Sequence, residues 1–325
     1  MQLLRRCLGR LLRALLSPRQ MRLVRRPALL PAYYKAFAIE LEPLLDEQQK
    51  AAQTDPEYWA AMLRKYAHIL DKGLQRADFE PGHSKQWHDA AAQALSRLKA
   101  ASLSDPSVEW AKRVVEKYEQ KQTLPAADGN APVGTDSEAD YQTLRRIIHG
   151  RRSVRRYAGR PVELDKLKII AEAVNWSPTS CNRQPAKVFV ATDQELVSKC
   201  AATCAGATCF SGEGACFLAF CADVRVYYLP EEFLLPTLDV GLGIQNCLLV
   251  AHTLGVSVTM LSWAQHTEED DQVLRRLLGI PCHLRVIVSA LAGYPTLLGE
   301  TPGRKAIGST VVHVSPVGAQ AASRQ

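Results

Sequence analysis

The sequence predicts a sandwich of helices and buried strands, α+β or α/β, behind an all-helical N-terminal region. Three observations carry this. From Ser137 onward, segments with helical spacing alternate with short, continuously apolar runs, which is the grammar of a sheet covered by helices. Residues 33 to 122 read as mostly helical. The stretch between, Thr123–Asp136 (TLPAADGNAPVGTD), holds Pro, Gly, Ala and Asp without apolar periodicity, as linkers do. The expected organisation is a leader over 1–32, a helical region over 33–122, a linker over 123–136, a second domain over 137–314 and a disordered tail over 315–325.

Each element has its own warrant. Tyr58, Ala61, Met62, Tyr66 and Ile69 recur at helical spacing after Asp55-Pro56, an N-cap followed by a proline in the first turn. Asp71–His88 is polar and glycine-bearing, and is expected to be a loop. Asp89–Leu103 is rich in good helix formers, and Asp105-Pro106 opens another helix to about Gln122. Ser137 caps a helix to about His149, and a second runs Leu164–Trp176. Lys187–Thr192, Ala215–Val224, Val256–Leu261 and Leu284–Ala292 are the expected strands. Residues 194–204 and Glu268–Leu278 are the expected helices between them. Glu231–Leu254 is helical and apolar on nearly every face, so burial is expected, with Gly255 as its stop.

The charge is uneven. Residues 1–39 hold nine basic side chains and no acid, whereas the rest holds 31 basic and 33 acidic residues. A nucleic-acid-binding core would carry its basic patch on the folded domain, so that function is excluded. Within the leader, Leu3, Leu4, Cys7, Leu8, Leu11, Leu12, Leu15 and Leu16 make an apolar face, with Arg5, Arg6, Arg10 and Arg13 as a cationic strip. A helix over residues 3–16 of this kind suits peripheral membrane contact, docking on the protein's own body or a second copy, or an import presequence. No apolar run reaches the length of a spanning helix. Nine cysteines, five of them within residues 200–221, lack zinc or iron–sulfur spacing. They read as reduced thiols of a cytoplasmic protein, with no metal.

Three segments carry chemistry. Arg151-Arg152-Ser153-Val154-Arg155-Arg156-Tyr157 concentrates guanidinium groups and a hydroxyl, suited to a phosphate or another polyanion. Ser177-Pro178-Thr179-Ser180-Cys181-Asn182-Arg183-Gln184-Pro185 is a rigid loop whose hydroxyls and amides can meet the edge of a flat heterocycle. Gly293-Tyr294-Pro295 leads to Pro302-Gly303-Arg304-Lys305 and delivers two further cations. Gly241-x-Gly243 lacks the third glycine of a dinucleotide fingerprint and lies within a helix.

In this order, and with Gln245, Asn246 and Gly255 between the second and third, the segments resemble the nitroreductase-like family of FMN-dependent flavoproteins over about residues 140–308. The resemblance implies an α+β fold with a mixed sheet flanked by helices. It implies FMN as cofactor and NAD(P)H as electron donor to a small-molecule acceptor. Arg151, Arg152, Ser153 and Arg155 would hold the FMN phosphate and ribityl chain, completed by Arg304 and Lys305. Pro178, Thr179, Ser180, Asn182 and Gln184 would line the flavin ring from the other subunit of a homodimer. Met260, Leu261 and Ser262 stand where the family's backbone meets the ring, and the long apolar helix would form much of the dimer interface. The cofactor carries the chemistry, so no catalytic side chain is assigned. One departure is Ala186, where family members commonly carry an aromatic residue; it opens space beside the loop.

His68-Ile69-Leu70-Asp71-Lys72-Gly73-Leu74, followed by Arg76, is similar to a His-x-x-Glu-Lys-Gly-Leu element of a long subset of the family, with Asp71 in place of Glu. His68, Lys72 and Arg76 are candidate substrate contacts, against a plain structured turn. Two rival readings stand beside the oxidoreductase. One is a specialised flavin oxidase or dehydrogenase of a biosynthetic pathway, such as surface polysaccharide. The other is a non-catalytic membrane-peripheral protein.

Overall fold

The computed structural model describes residues 54–76, 79–103, 105–121, 137–207, 213–227, 229, 232–261 and 267–314. The leader, the linker, the tail and Ser262 lie outside these residues. The elements are α1 Pro56–Leu74, α2 Lys85–Ala100, α3 Pro106–Lys121, α4 Glu138–Gly150, α5 Leu164–Glu172, β1 Ala186–Ala191 and α6 Gln194–Ala202. They continue with β2 Cys216–Asp223, α7 Leu235–Thr253, β3 Ser257–Leu261, α8 Glu268–Leu278 and β4 Leu284–Gly293. This is an α+β fold behind a helical N-terminal region. The sheet order is β1-β2-β4-β3, and every pairing is antiparallel. The parallel pair that a mixed sheet requires is absent among the described residues.

β2 is buried along its whole length because both faces are covered. Phe217, Ala219 and Cys221 join one core, roofed by Val197, Cys200 and Leu274 of α6 and α8. Leu218, Phe220 and Ala222 join the other, roofed by Leu167, Ile170, Val240, Ile244 and Cys247 of α5 and α7. A bulge reverses the parity of β4 partway along its length. Phe220 pairs with Val288 but Cys221 with Val286, so Ile287 is the extra residue. Leu284 and Val286 before it and Leu291 after it therefore share a face despite opposite parity.

α1, α2 and α3 enclose a core of their own around Leu63, Leu70, Leu98 and Val114. α1 extends through Lys72 and Gly73 to Leu74, past the expected loop start at Asp71. Gly73 is tolerated because a side chain there would crowd Ser84 Oγ at 3.3 Å, and Lys121 Nζ caps the carbonyl of Leu74 at 2.6 Å. α2 likewise begins at Lys85 rather than Asp89.

Ionic contacts join α1 to the sheet. Asp55, the N-cap of α1, accepts from Glu57 N at 2.9 Å and from Arg225 Nη1 at 2.6 Å. Arg225 is buried and also forks onto Asp223 at the end of β2, with Nη2 at 2.7 Å and Nε at 3.0 Å. Burial opposes ionisation of Asp55, but the hydrogen bond and charge of Arg225 outweigh it and leave the carboxyl lowered. Glu57 meets Lys187 of β1 at 2.5 Å.

α7 departs from expectation. It starts at Leu235, with Pro236 in its first turn, rather than at Glu231. Val240, Ile244 and Cys247 face the core, but Leu238 and Leu242 are 54% and 42% exposed. A single chain has only one sheet face to offer this helix, so its other side stays open. α4 buries no residue, and Tyr141, Leu144 and Ile148 are exposed on it. None of the described helices is long and apolar enough to cross a membrane.

All the described cysteines are free thiols. Burial pushes Cys200 up to about 11 and Cys216, Cys221 and Cys247 up to about 12. The unfolded chain loses these protons first, so their stabilisation is full below about pH 9 and is lost as pH rises towards 12. Cys247→Ala should therefore lose roughly 1 kcal/mol less than wild type between pH 8 and pH 10. Urea unfolding under reducing conditions at both pH values checks this; parallel losses would refute it.

Candidate functional site

The arginine segment leaves the C-terminus of α4 and is sewn onto β3. Val154 N donates to Thr259 Oγ1, and that hydroxyl donates back to Val154 O, each at 2.7 Å. The Gly293–Pro295 turn is pinned to the same segment. Ala158 N donates to Tyr294 O at 2.9 Å, and Tyr157 bridges Pro295. Gly293 is required here, because a Cβ would stand 2.6 Å from the Tyr157 ring. Tyr157 donates to Leu291 O at 3.2 Å, and burial pushes its hydroxyl up to about 12.

These connections gather Arg151, Arg152 and Arg304 around a cavity of about 300 Å³, with Ile148, His149, Gln245, Thr301 and Pro302. No Asp or Glu lines it. Arg152 Nη1 caps α4 through His149 O at 2.5 Å, while Nη2 donates to Thr301 Oγ1. Part of the arginine chemistry thus satisfies the negative end of the helix. Arg304 Nη1 donates to Gly303 O at 2.9 Å. Burial, then the charges of Arg151, Arg152 and Arg146, hold the nearby His252 imidazole below its ordinary value. A cavity this cationic, with an amide and a hydroxyl in its wall, has the donors to hold a polyanion.

Other expected residues stand elsewhere. Ser153, Arg155 and Lys305 are exposed and outside the cavity lining. Met260 is half-buried against the α5/α7 core, and Leu261 is buried in the opposite one. His68 is half-buried on α1, whereas Lys72 and Arg76 are exposed. None of these three reaches either cavity described here.

The loop over 177–185 is not at the arginine cavity of its own chain. Its backbone is unusual: Cys181, Asn182 and Gln184 have φ of 54°, 53° and 50°. Left-handed non-glycine residues persist only where their surroundings over-determine them. Asp239, buried on α7, accepts from Ser180 N at 3.0 Å and Ser180 Oγ at 2.9 Å. It also accepts from Tyr227 Oη at 2.7 Å. Burial, then this bond and the Asp239 charge, push the Tyr227 hydroxyl up. Arg183 Nη2 donates to Glu232 Oε1 at 2.6 Å, and its guanidinium lies 5.1 Å from the Tyr227 ring centre. Gln184 N donates to Thr179 Oγ1 at 3.1 Å, and Gln184 Nε2 to Asn182 Oδ1 at 3.0 Å.

Gln184 and Ala186 line a second cleft of about 420 Å³, facing Glu57, Ala60, Ala61 and Arg64 of α1. The small side chain of Ala186 is thus matched by open space beside the loop. Asp239, Tyr227 and Arg64 went unnoticed in the sequence. Asp239 left one signal: a lone acid between Leu235 and Thr253 in an otherwise apolar helix needs a buried partner.

The nitroreductase family model matches residues 148–215. An Archaeoglobus fulgidus protein, provisionally assigned as an NADH dehydrogenase/NAD(P)H nitroreductase, is 29% identical over 150 residues, covering 46% of this chain and 84% of its own. An FMN reductase (NAD(P)H) of Bacillus subtilis is 25% identical over 159 residues, covering 44% and 62%. Among solved structures, nitroreductase A from Vibrio parahaemolyticus is 24% identical with a TM-score of 0.46, covering 53% of this chain and 75% of its own.

Proposed function

We propose that the chain is a nitroreductase-like protein, as the family match over residues 148–215 and the Archaeoglobus relative suggest, and that it is an FMN-dependent oxidoreductase taking hydride from NAD(P)H to reduce a small organic acceptor. The observation that carries this reading is the acid-free cavity of Arg151, Arg152 and Arg304. Its donor set fits the phosphate end of FMN: guanidinium forks for the phosphate, with the Thr301 hydroxyl and Gln245 amide as neutral partners for the ribityl chain. The names of the Archaeoglobus and Bacillus relatives agree with the cofactor and the donor. When bound, the flavin supplies the hydride chemistry; the protein orients the ring and limits the access of water.

Two features support a homodimer. The ring-lining residues Pro178, Thr179, Ser180, Asn182 and Gln184 stand apart from the arginine cavity, so a second copy would have to supply them. The bare face of α4 and the exposed Leu238 and Leu242 of α7 offer the apolar surface that such a copy would cover.

Purified protein should be yellow and release about one FMN per subunit. Anaerobic NADH or NADPH should bleach it. Colourless protein that cannot be reconstituted with FMN would overturn the proposal.

A further inference from the structure

Asp239 and Glu232 hold the 177–185 loop from the α7 side; Arg64 of α1 holds it from the other. Arg64 Nε and Nη2 both donate to the carbonyl oxygen of Arg183, at 3.3 and 3.1 Å. Nη1 turns away to Ser107 Oγ of α3 at 3.2 Å. The direction of the Arg183 carbonyl is set by ψ of Arg183 and φ of Gln184, because both rotate that one peptide unit. A planar fork closing on this oxygen therefore fixes the left-handed Gln184, whose φ is 50°. Without the fork, the Gln184 peptide keeps only the bond from its N–H to Thr179 Oγ1, too little to hold the left-handed conformation, and the side chain turns as it relaxes.

We propose that Arg64 is a positioning residue, through which the helical N-terminal region sets the conformation of Gln184 in the flavin-facing loop. The proposal rests on the flavoenzyme reading only for what Gln184 touches; the grip itself is independent of it. It gives the N-terminal region a role at the site that Pro178–Gln184 alone do not reveal. It also distinguishes two anchors from outside the loop: Asp239 holds Ser180, and Arg64 holds the Arg183 carbonyl of the Gln184 peptide.

Hydrogen exchange of the full-length protein separates the two. Arg64→Ala should speed exchange of the Gln184 amide at least about tenfold, since the lost bonds are charge-assisted. The Ser180 amide, held by Asp239, should keep its wild-type rate. Ser107→Ala removes the other partner of Arg64 and should change neither amide. Arg64→Lys, which keeps the charge but not the fork, should fall between wild type and alanine. In titrations with FMN, Arg64→Ala should weaken binding about tenfold, again with Ser107→Ala unchanged. If Ser180 and Gln184 accelerate together, or neither moves, Arg64 acts only on general stability and the proposal falls. An unchanged FMN affinity in Arg64→Ala also overturns it. If the wild type binds no FMN, the flavoenzyme reading fails, and the exchange rates still decide the grip on Gln184.

Discussion

Arg152→Glu is expected to lower FMN affinity by about a hundredfold or more. The substitution deletes a charge-assisted donor, costing about 1.5–3 kcal/mol. It also places a carboxylate beside the phosphate, a like-charge contact in a cavity that has no acid of its own. Two further losses are local: the cap on His149 O and the bond to Thr301. Arg152→Gln separates them, because it retains a donor for the cap while removing the charge. Its affinity should drop about tenfold with little change in melting temperature. Fluorescence titration with FMN measures both variants. Affinity within a factor of two of wild type for the glutamate variant would remove this cavity from the flavin site.

Asp239→Ala is expected to destabilise the protein by about 4 kcal/mol, lowering the melting temperature by about 10 °C. Asp239 is only 3% exposed, so water is poorly placed to replace its carboxylate. Its loss leaves Ser180 N, Ser180 Oγ and Tyr227 Oη without their acceptor. Stranding the buried Tyr227 hydroxyl costs on the order of 1–3 kcal/mol, and the part-buried Ser180 donors add to it. Asp239→Asn keeps one carbonyl oxygen and should lose about half as much. Chemical denaturation of the three proteins decides the matter. A loss under about 1 kcal/mol for the alanine variant would show that the network is dispensable.

The elements were legible where one period dominates. β2 reads as continuous Cys, Phe, Leu and Ala, and it is the strand buried on both faces. α8 announces itself with Thr267 and Asp270, which form a reciprocal capping box. The errors fall where a local rule meets tertiary context. The polar, glycine-bearing stretch from Asp71 looked like a loop, but Ser84 packs against Gly73 and Lys121 caps the turn beyond. Glu231–Leu254 looked buried throughout, because apolarity says nothing about how many partners a helix finds within its own chain. In the site, the motif order marked Arg151, Arg152 and Arg304 and included Gln245 without giving it a role, while Thr301 was not singled out. Arg64 was illegible in principle. It is one of many helix arginines, and nothing in its neighbours along the chain shows that it points at a carbonyl 119 residues away.

The ionic join between α1 and the sheet bears on how this protein could be dissected. Arg225 is 4% exposed and satisfied by Asp223 from one side and Asp55 from the other. The join is therefore more than an oily seam that can be cut and resurfaced: beside the apolar contact of Ala61 with Val226 and Tyr227 it carries buried charge. A chain shortened to begin at Ser137 would keep the cation and lose half its counter-charge, together with Glu57, the partner of Lys187. The C-terminal half is thus complementary to its helical companion in charge. The two are better regarded as one electrostatic body than as an enzyme with a detachable cap.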